Sequence, residues 1–269
     1  MRILRDGDTT LGANTLSDTL LTLVMPAYNE GKRIGLALEK TLAYLGQQPF
    51  HSQVIVVDDG SRDNTAQVVE DFCARPPAFL TGRCNLCLLR NEANRGKGYS
   101  IRRGVAEAEG RFIGFADADY KTPIEEFEKI FPWLQEGWDV VIGSRGLDES
   151  RIEVAQPIHR RLGSKAFGMV MHWLIGLPDI RDTQCGFKFF RREAALDVFS
   201  RQQVNGYMFD VESLAIADGL GYRIKQVPIR WHNDADSRYK VVSGTLRNFK
   251  ELMRIRFGLW RNPPQRERR

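Results

Sequence analysis

Residues 112–119 read FIGFADAD, an apolar run of strand length that ends in two carboxylates. An unpaired charge inside a buried strand is very costly, so Asp117 and Asp119 are expected at the strand's carboxyl end. Open α/β sheets bind ligands there, and alternation puts both side chains on one side, where a hard cation finds oxygen ligands. A motif this short also recurs by chance as a solvated turn, so the rest of the chain must decide.

Apolar runs and helical segments alternate around this stretch. The alternation predicts an α/β fold with a mostly parallel, doubly wound sheet, whose strand ends share one edge. The strand-like runs lie at 20–25, 54–57, 86–89, 112–116 and 140–143. Further along, the pattern predicts strands at 187–190 and 224–229 and helices at 193–199, 209–218 and 243–259.

The charge distribution excludes some partners. The net charge is +5 over 269 residues, and six Arg against one Glu from residue 254 onward account for all of it. The fold itself therefore carries no excess positive charge, and we expect no nucleic-acid partner, whereas a basic end suits an anionic membrane surface. No run reaches the roughly 18 apolar residues of a membrane span, and the polar N-terminus predicts no signal peptide.

The four cysteines predict a reduced, cytoplasmic protein. Cys84 and Cys87 form a single C-x-x-C pair inside a predicted buried strand, with no second pair or nearby His. Core thiols are therefore expected rather than a zinc site or a disulfide.

Polar clusters end four successive strands of the predicted sheet. They are PAYNE at 26–30, DDGS at 58–61, NRGKG at 94–98 and DAD at 117–119. Together they supply what a nucleotide diphosphate needs: Asp59 as acceptor for a base N–H, Lys97 as a mobile charge near phosphates, Asp117 for ribose hydroxyls and Asp119 for a metal. The glycine-rich dinucleotide motif after the first strand and the P-loop are both absent.

These strand ends, together with GSR at 143–145, DTQCGFK at 182–188 and FDVE at 209–212, resemble the inverting glycosyltransferases of family 2. Within that family the sequence is similar to the dolichyl- and polyprenyl-phosphate β-glucosyltransferases, over about residues 20–257. The resemblance implies the A-type nucleotide-diphospho-sugar fold, with a catalytic domain at 20–242 between a polar lead, 1–19, and an amphipathic helix with a basic tail, 243–269. The nucleotide-binding half would be 20–120 and the acceptor-binding half 121–242.

The resemblance also implies an activity. Glucose would pass from UDP-glucose to a polyprenyl or dolichyl monophosphate, with inversion, at the cytoplasmic face of a membrane. Alternatives stay open: a soluble or protein hydroxyl acceptor, GDP-mannose as donor, nucleotidyl transfer, or nucleotide-sugar binding without catalysis.

Individual residues receive roles from the same resemblance. Arg145 would bridge the donor and acceptor phosphates, and Lys121 stands where mannosyl relatives carry a metal-binding Gln. The metal, Mg²⁺ or Mn²⁺, would lie on Asp119 and Asp117. The acceptor phosphate would contact Arg160, Arg161, Ser164 and Lys188. The nucleotide sugar would contact Pro26, Ala27, Tyr28, Glu30, Asp58, Asp59, Lys97, Asp117, Ala118, Asp119, Arg145, Arg238 and Lys240.

A phosphate acceptor reduces the need for a base. A phosphate monoester is largely a dianion at neutral pH, so the site must mainly offset its repulsion from the donor diphosphate. Asp182 is the candidate that orients the nucleophile or acts as a base, and the alternative is a structural acid paired with Arg181 or Lys188.

Helix 157–177 is the predicted membrane contact, together with the basic tail. Its body, 167–175, is apolar nearly all round, and the helix is too short to span a bilayer, so it is a core helix, an interfacial helix or a dimer helix. A homo-oligomer is left open.

Overall fold

One eight-stranded sheet organises the described part of the chain. The computed structural model describes residues 2–5, 18–77, 82–152, 174–232 and 241–261. Its strands are β1 (Arg2–Arg5), β2 (Thr19–Ala27), β3 (His51–Asp58), β4 (Cys84–Arg90), β5 (Phe112–Ala116), β6 (Val140–Ser144), β7 (Arg151–Ile152), β8 (Phe187–Arg191), β9 (Ile224–Pro228) and β10 (Arg230–Trp231).

Helices cover both faces of this sheet, as the continuous apolar strands predict. They are α1 (Ile34–Gly46), α2 (Thr65–Ala74), α3 (Lys97–Ala106), α4 (Phe127–Gln135), α5 (Arg192–Arg201), α6 (Phe209–Gly219) and α7 (Val241–Arg261), with a 3₁₀ turn at Ile124–Glu126 before α4. Two apolar clusters result, one on each face of the sheet. All four cysteines are buried and free of disulfides, which confirms the prediction of core thiols.

The strand order is β1-β4-β3-β2-β5-β8-β6-β9, and β7 pairs with β10 in a separate ribbon. All pairs in the large sheet are parallel except those of β8, which runs antiparallel between β5 and β6. The predicted mostly parallel α/β architecture is therefore confirmed.

The antiparallel strand β8 brings residues 182–186 to the site. Because β8 runs against its neighbours, it begins at the edge where β5 and β6 end, and Phe187 lies opposite Ala116. The segment before Phe187 therefore lies beside Asp117. Gly186 is required there, because a Cβ at this position would come within 2.4 Å of Asp117 Oδ2.

Strand β1 differs from the sequence expectation. Residues 1–19 are predicted as a polar lead, but Arg2–Arg5 pair in parallel with the outer strand β4. The strand has only four residues, RILR, and a pattern this short with charged ends does not identify a strand from sequence; short, charged strands are common at sheet edges.

Candidate active site

A cleft of about 540 Å³ opens where β2, β3 and β4 end. Tyr28 is 40% exposed and forms one wall. The turn after β3 and the loop after β4 form the other walls. The lining residues are Tyr28, Gly60, Ser61, Arg62, Arg90, Asn91, Glu92, Ala93 and Asn94. Gly60 has a φ of +70°, and a Cβ there would come within 2.6 Å of the Ala93 backbone.

Asp59 lies behind this cleft as an anchor for the next loop. It is 3% exposed. One of its oxygens accepts hydrogen bonds from the Asn91 side chain at 2.7 Å and the Arg95 backbone at 2.9 Å, and the other accepts one from the Gly96 backbone at 2.8 Å. The carboxylate of Asp59, which the sequence assigns to the nucleotide base, therefore already accepts three hydrogen bonds from within the protein.

The other residues assigned to the nucleotide at this edge are also tied into the protein. Asp58 is buried and accepts from the Ser61 backbone at 3.1 Å. Glu30 forms a two-point ion pair with Arg33, at 2.7 and 2.9 Å. Ala27 is buried at the end of β2 and accepts from the Asp59 backbone at 2.8 Å. These contacts hold the rim of the cleft in shape.

Asp117 and Lys97 form the charged centre of the edge. Lys97 Nζ lies 2.6 Å from Asp117 Oδ1. Burial opposes ionisation of Asp117, but Lys97, Lys188 and Arg145 outweigh it and lower the pKa of Asp117. Burial likewise favours neutral Lys97, but Asp117 and Asp210 outweigh it and raise the pKa of Lys97. Both groups are therefore charged at neutral pH.

Asp119 is paired with Lys121, two residues further along the chain. Lys121 Nζ lies 3.0 Å from Asp119 Oδ2, and the Lys121 backbone N–H donates to Asp119 Oδ1 at 3.3 Å. Ala118, between the two acids, is buried in the core beneath them.

The two acids fit a hard divalent cation. Both present carboxylate oxygens, and each already attracts one lysine ammonium. Among the described residues no group of three or more His, Cys, Asp or Glu side chains gathers to hold a metal. This is compatible with Mg²⁺ or Mn²⁺, because Mg²⁺ usually takes one or two carboxylates and completes its shell with substrate phosphates and water.

Arg145 is held in one orientation by Asp182 and Trp231. Its Nε and Nη2 donate to the two oxygens of Asp182 at 2.7 and 2.9 Å, and its backbone N–H donates to the same carboxylate at 2.9 Å. The guanidinium also lies over the Trp231 ring, 5.3 Å from its centre. A bidentate pair with an aromatic stack fixes the plane of the guanidinium.

The partner of Asp182 corrects the sequence interpretation. The alternative given for Asp182 was a structural acid paired with Arg181 or Lys188, but the partner is Arg145. Burial raises the pKa of Asp182, but Arg145 outweighs burial and lowers it. A carboxylate held this way is a poor proton acceptor at neutral pH, so the geometry favours a positioning role over that of a base.

Lys188 also differs from its predicted role. It is 0% exposed, and its ammonium contacts Asp210 Oδ1 and the Cys185 carbonyl oxygen, each at 2.5 Å. The ring of Phe115 lies 5.5 Å away. The prediction that Lys188 contacts the acceptor phosphate is therefore wrong for this structure, because the charge is buried beneath Asp117 and faces Asp210.

Several predicted site residues lie outside the described part of the chain. They are Arg160, Arg161, Ser164, Arg238 and Lys240, and residues 157–173 of the predicted helix and 262–269 of the basic tail lie there too. Among the described residues, sequence reasoning missed Trp231 and Asp210. A Trp in a two-residue strand and an Asp in the first turn of a helix carry no signal in the sequence without their tertiary contacts, although the FDVE motif includes Asp210.

The mostly parallel sheet, with one antiparallel strand and polar strand ends at one edge, is the arrangement expected of the A-type nucleotide-diphospho-sugar fold, and the comparisons agree on that fold. The sequence model of Glycosyl transferase family 2 matches residues 22–199. This chain belongs to glycosyl transferase family 2.

Two similar proteins within that family are dolichyl-phosphate beta-glucosyltransferases. A dolichyl-phosphate beta-glucosyltransferase of Trichomonas vaginalis is 36% identical over 91% of this chain and 74% of the relative. The Homo sapiens dolichyl-phosphate beta-glucosyltransferase is 34% identical over 90% of this chain and 77% of the relative.

A solved structure supports the fold. Glucosyl-3-phosphoglycerate synthase from Mycobacterium tuberculosis, in complex with Mn²⁺, UDP and glucosyl-3-phosphoglycerate, superposes with a TM-score of 0.64 at 19% identity. The match covers 93% of this chain and 87% of the synthase.

Proposed function

We propose that this protein transfers glucose from UDP-glucose to a polyprenyl or dolichyl monophosphate, with inversion at the anomeric carbon. The observation that carries the proposal is Arg145, which is locked by Asp182 and Trp231 close enough to Asp117 to lower the pKa of that carboxylate. The identity of the sugar and of the lipid rests on the dolichyl-phosphate beta-glucosyltransferases to which the chain is similar.

The residues at this edge of the sheet have different roles in the reaction. The nucleotide lies in the cleft beside Tyr28, and its ribose lies toward Asp117. An oxygen of the acceptor phosphate attacks the anomeric carbon as UDP departs on the opposite side. Arg145 is the fixed positive group between the two anions, and its orientation is set before substrates arrive, so little reorganisation is needed during reaction.

The acceptor chemistry agrees with the absence of a poised base at Asp182. A phosphate dianion has no proton that must be removed before attack, in contrast to a sugar or protein hydroxyl. When bound at Asp119 and Asp117, the metal would act as a Lewis acid for the leaving diphosphate. Lys97, paired with Asp117 at 2.6 Å, adds a second positive charge at the same edge.

A transfer assay tests the proposal. UDP-glucose, UDP-N-acetylglucosamine and GDP-mannose, each radiolabelled in the sugar, are incubated with polyprenyl phosphate, and label extracted into organic solvent is counted. We expect transfer from UDP-glucose and a loss of at least about a hundredfold in Asp119→Ala. Preferred transfer from GDP-mannose, transfer only to a water-soluble acceptor, or release of glucose 1-phosphate in place of UDP would each reject the proposal in favour of a named alternative.

Contact with the membrane is proposed through helix α7. Among its described side chains, Phe249 and Phe257 are 46% and 59% exposed, and Met253 lies between them on the same helix face. Exposed cations flank this face at Lys250, Arg254 and Arg256. An apolar stripe bordered by cations suits a bilayer interface with anionic lipids. No helix in the described ranges is long and apolar enough to cross a membrane.

Acidic residues in place of the exposed phenylalanines of this face should weaken membrane binding. Phe249→Glu with Phe257→Glu removes two large apolar groups from the interface, so we expect cosedimentation with vesicles of 70% phosphatidylcholine and 30% phosphatidylglycerol to fall at least about tenfold. Leu36→Glu with Leu196→Glu adds the same charge at exposed leucines on α1 and α5 and serves as the matched control. Equal binding by the two double variants would contradict this contact.

A further inference from the structure

We propose that Lys121 is a built-in competitor of the divalent cation, which keeps the metal weakly bound until a nucleoside diphosphate is present. The inference rests on the proposed function for the identity of the nucleotide. Lys121 would then couple the binding of the metal to that of the nucleotide.

The first support is that one residue, Lys121, contacts both carboxylate oxygens of Asp119. The ammonium of Lys121 contacts Oδ2 at 3.0 Å and its backbone N–H contacts Oδ1 at 3.3 Å. Both side chains are more than four-fifths buried, so solvent and salt screen this ion pair less than one on an open surface. A cation that binds Oδ2 must displace the ammonium, and the cost of that displacement is subtracted from its affinity.

The second support is the backbone that directs Lys121 to this carboxylate. Tyr120 has a φ of +55°, which is uncommon for a residue other than glycine. The Tyr120 hydroxyl donates to Glu125 at 2.9 Å, and the His232 backbone N–H donates to the Lys121 carbonyl oxygen at 2.9 Å. A conformation of this kind persists only where the surroundings hold it, and such positions cluster at functional sites.

The third support is that the neighbouring acid is engaged in the same way. Lys97 Nζ lies 2.6 Å from Asp117 Oδ1. A cation that enters the site therefore meets two carboxylates, each already paired with a lysine ammonium. A diphosphate changes this balance, because its oxygens can complete the shell of the cation and also accept the displaced ammonium of Lys121. Metal and nucleotide therefore strengthen each other's binding, by the same factor in both directions.

Direct measurement of Mn²⁺ binding tests the inference. Free Mn²⁺ is followed by its electron paramagnetic resonance signal in the full chain, with and without UDP, for the wild type, Lys121→Met and Lys121→Arg. Met removes the competing charge without adding a ligand, and Arg keeps the charge. We expect Lys121→Met to bind Mn²⁺ alone about tenfold more tightly, the effect of losing one partly buried ion pair, with less than about a threefold change when UDP is present.

Three results would overturn the inference. They are unchanged or weaker Mn²⁺ binding in Lys121→Met without UDP, equal tightening in Lys121→Arg, and undiminished Mn²⁺ binding in Asp119→Asn. No acceptor and no turnover enter the measurement. A failure to transfer glucose in the assay above is therefore a separate result, which would count against the proposed function alone.

Discussion

Lys188→Met is expected to lower the free energy of unfolding by about 3–5 kcal/mol, the cost of leaving a buried charge without its partner. Lys188 and Asp210 are 0% and 5% exposed in their side chains, and their charged atoms are 2.5 Å apart. Burial raises the pKa of Asp210, and Lys188 and Lys97 oppose that rise. Without Lys188, Asp210 must either stay charged in an apolar site or take up a proton.

The position of this pair explains why the loss is large. Lys188 lies on β8, opposite Phe115 of β5 and Ile142 of β6, so its strand is enclosed on both sides. Asp210 lies in the first turn of α6, and the pair therefore ties that helix to the centre of the sheet. Solvent cannot replace the lost partner at this depth, whereas it can at the surface.

Urea unfolding measures the effect, with two further variants that isolate its cause. Adding Asp210→Asn to Lys188→Met removes the unpaired carboxylate and should recover roughly 1–2 kcal/mol of the lost free energy of unfolding. Arg75→Ala breaks an exposed ion pair with Asp71 and should cost less than about 1 kcal/mol. If Lys188→Met unfolds at the same urea concentration as the Arg75 control, the buried pair contributes no more than a surface one.

The first half of the fold was predictable because each strand there carries its own signal. The runs at 54–57 and 112–116 are apolar throughout, and each ends in acids that cannot be buried unpaired. Parallel strands with right-handed crossovers then leave no other place for these acids than one shared edge. The positions of Asp59, Asp117 and Asp119 follow from that local pattern alone.

The second half of the site depends on pairing that sequence does not encode locally. Strand β8 lies between β5 and β6 in the antiparallel orientation, and its five residues, FKFFR, do not reveal that orientation in the sequence. Asp182 and Arg145 are 37 positions apart, and only this strand order brings them together. Lys188 is expected at the acceptor phosphate because it stands in the DTQCGFK motif, and its buried partner Asp210, on another element, cannot be inferred from the sequence.

Arg145→Ala is expected to reduce kcat/KM for glucose transfer by about a hundredfold to a thousandfold, with most of the loss in kcat. The guanidinium is oriented before substrate binds, and an oriented charge of this kind stabilises the transition state more than the ground state. Arg145→Lys should recover little, because an ammonium cannot make the two-point contact with Asp182 or stack on Trp231 in the same plane.

Asp182→Asn separates positioning from base catalysis through its combination with Arg145→Ala. A positioning residue acts through Arg145, so Asp182→Asn alone should cost about tenfold in kcat, and the double variant should be no slower than Arg145→Ala. A general base would act independently, and the double variant would then be slower than Arg145→Ala by about a further hundredfold or more. Both variants are measured by steady-state kinetics with polyprenyl phosphate as acceptor.

The pH dependence of Asp182→Asn also distinguishes a phosphate acceptor from a hydroxyl acceptor. A hydroxyl nucleophile must lose a proton during attack, so loss of its base would slow the reaction most at low pH, where few other acceptors for that proton exist. A phosphate acceptor that is already a dianion at neutral pH makes no such demand. For Asp182→Asn we therefore expect a pH profile of kcat parallel to that of the wild type between pH 6.5 and 8, shifted down by the same factor throughout. A profile that steepens toward acid would assign Asp182 to proton transfer and favour a hydroxyl acceptor.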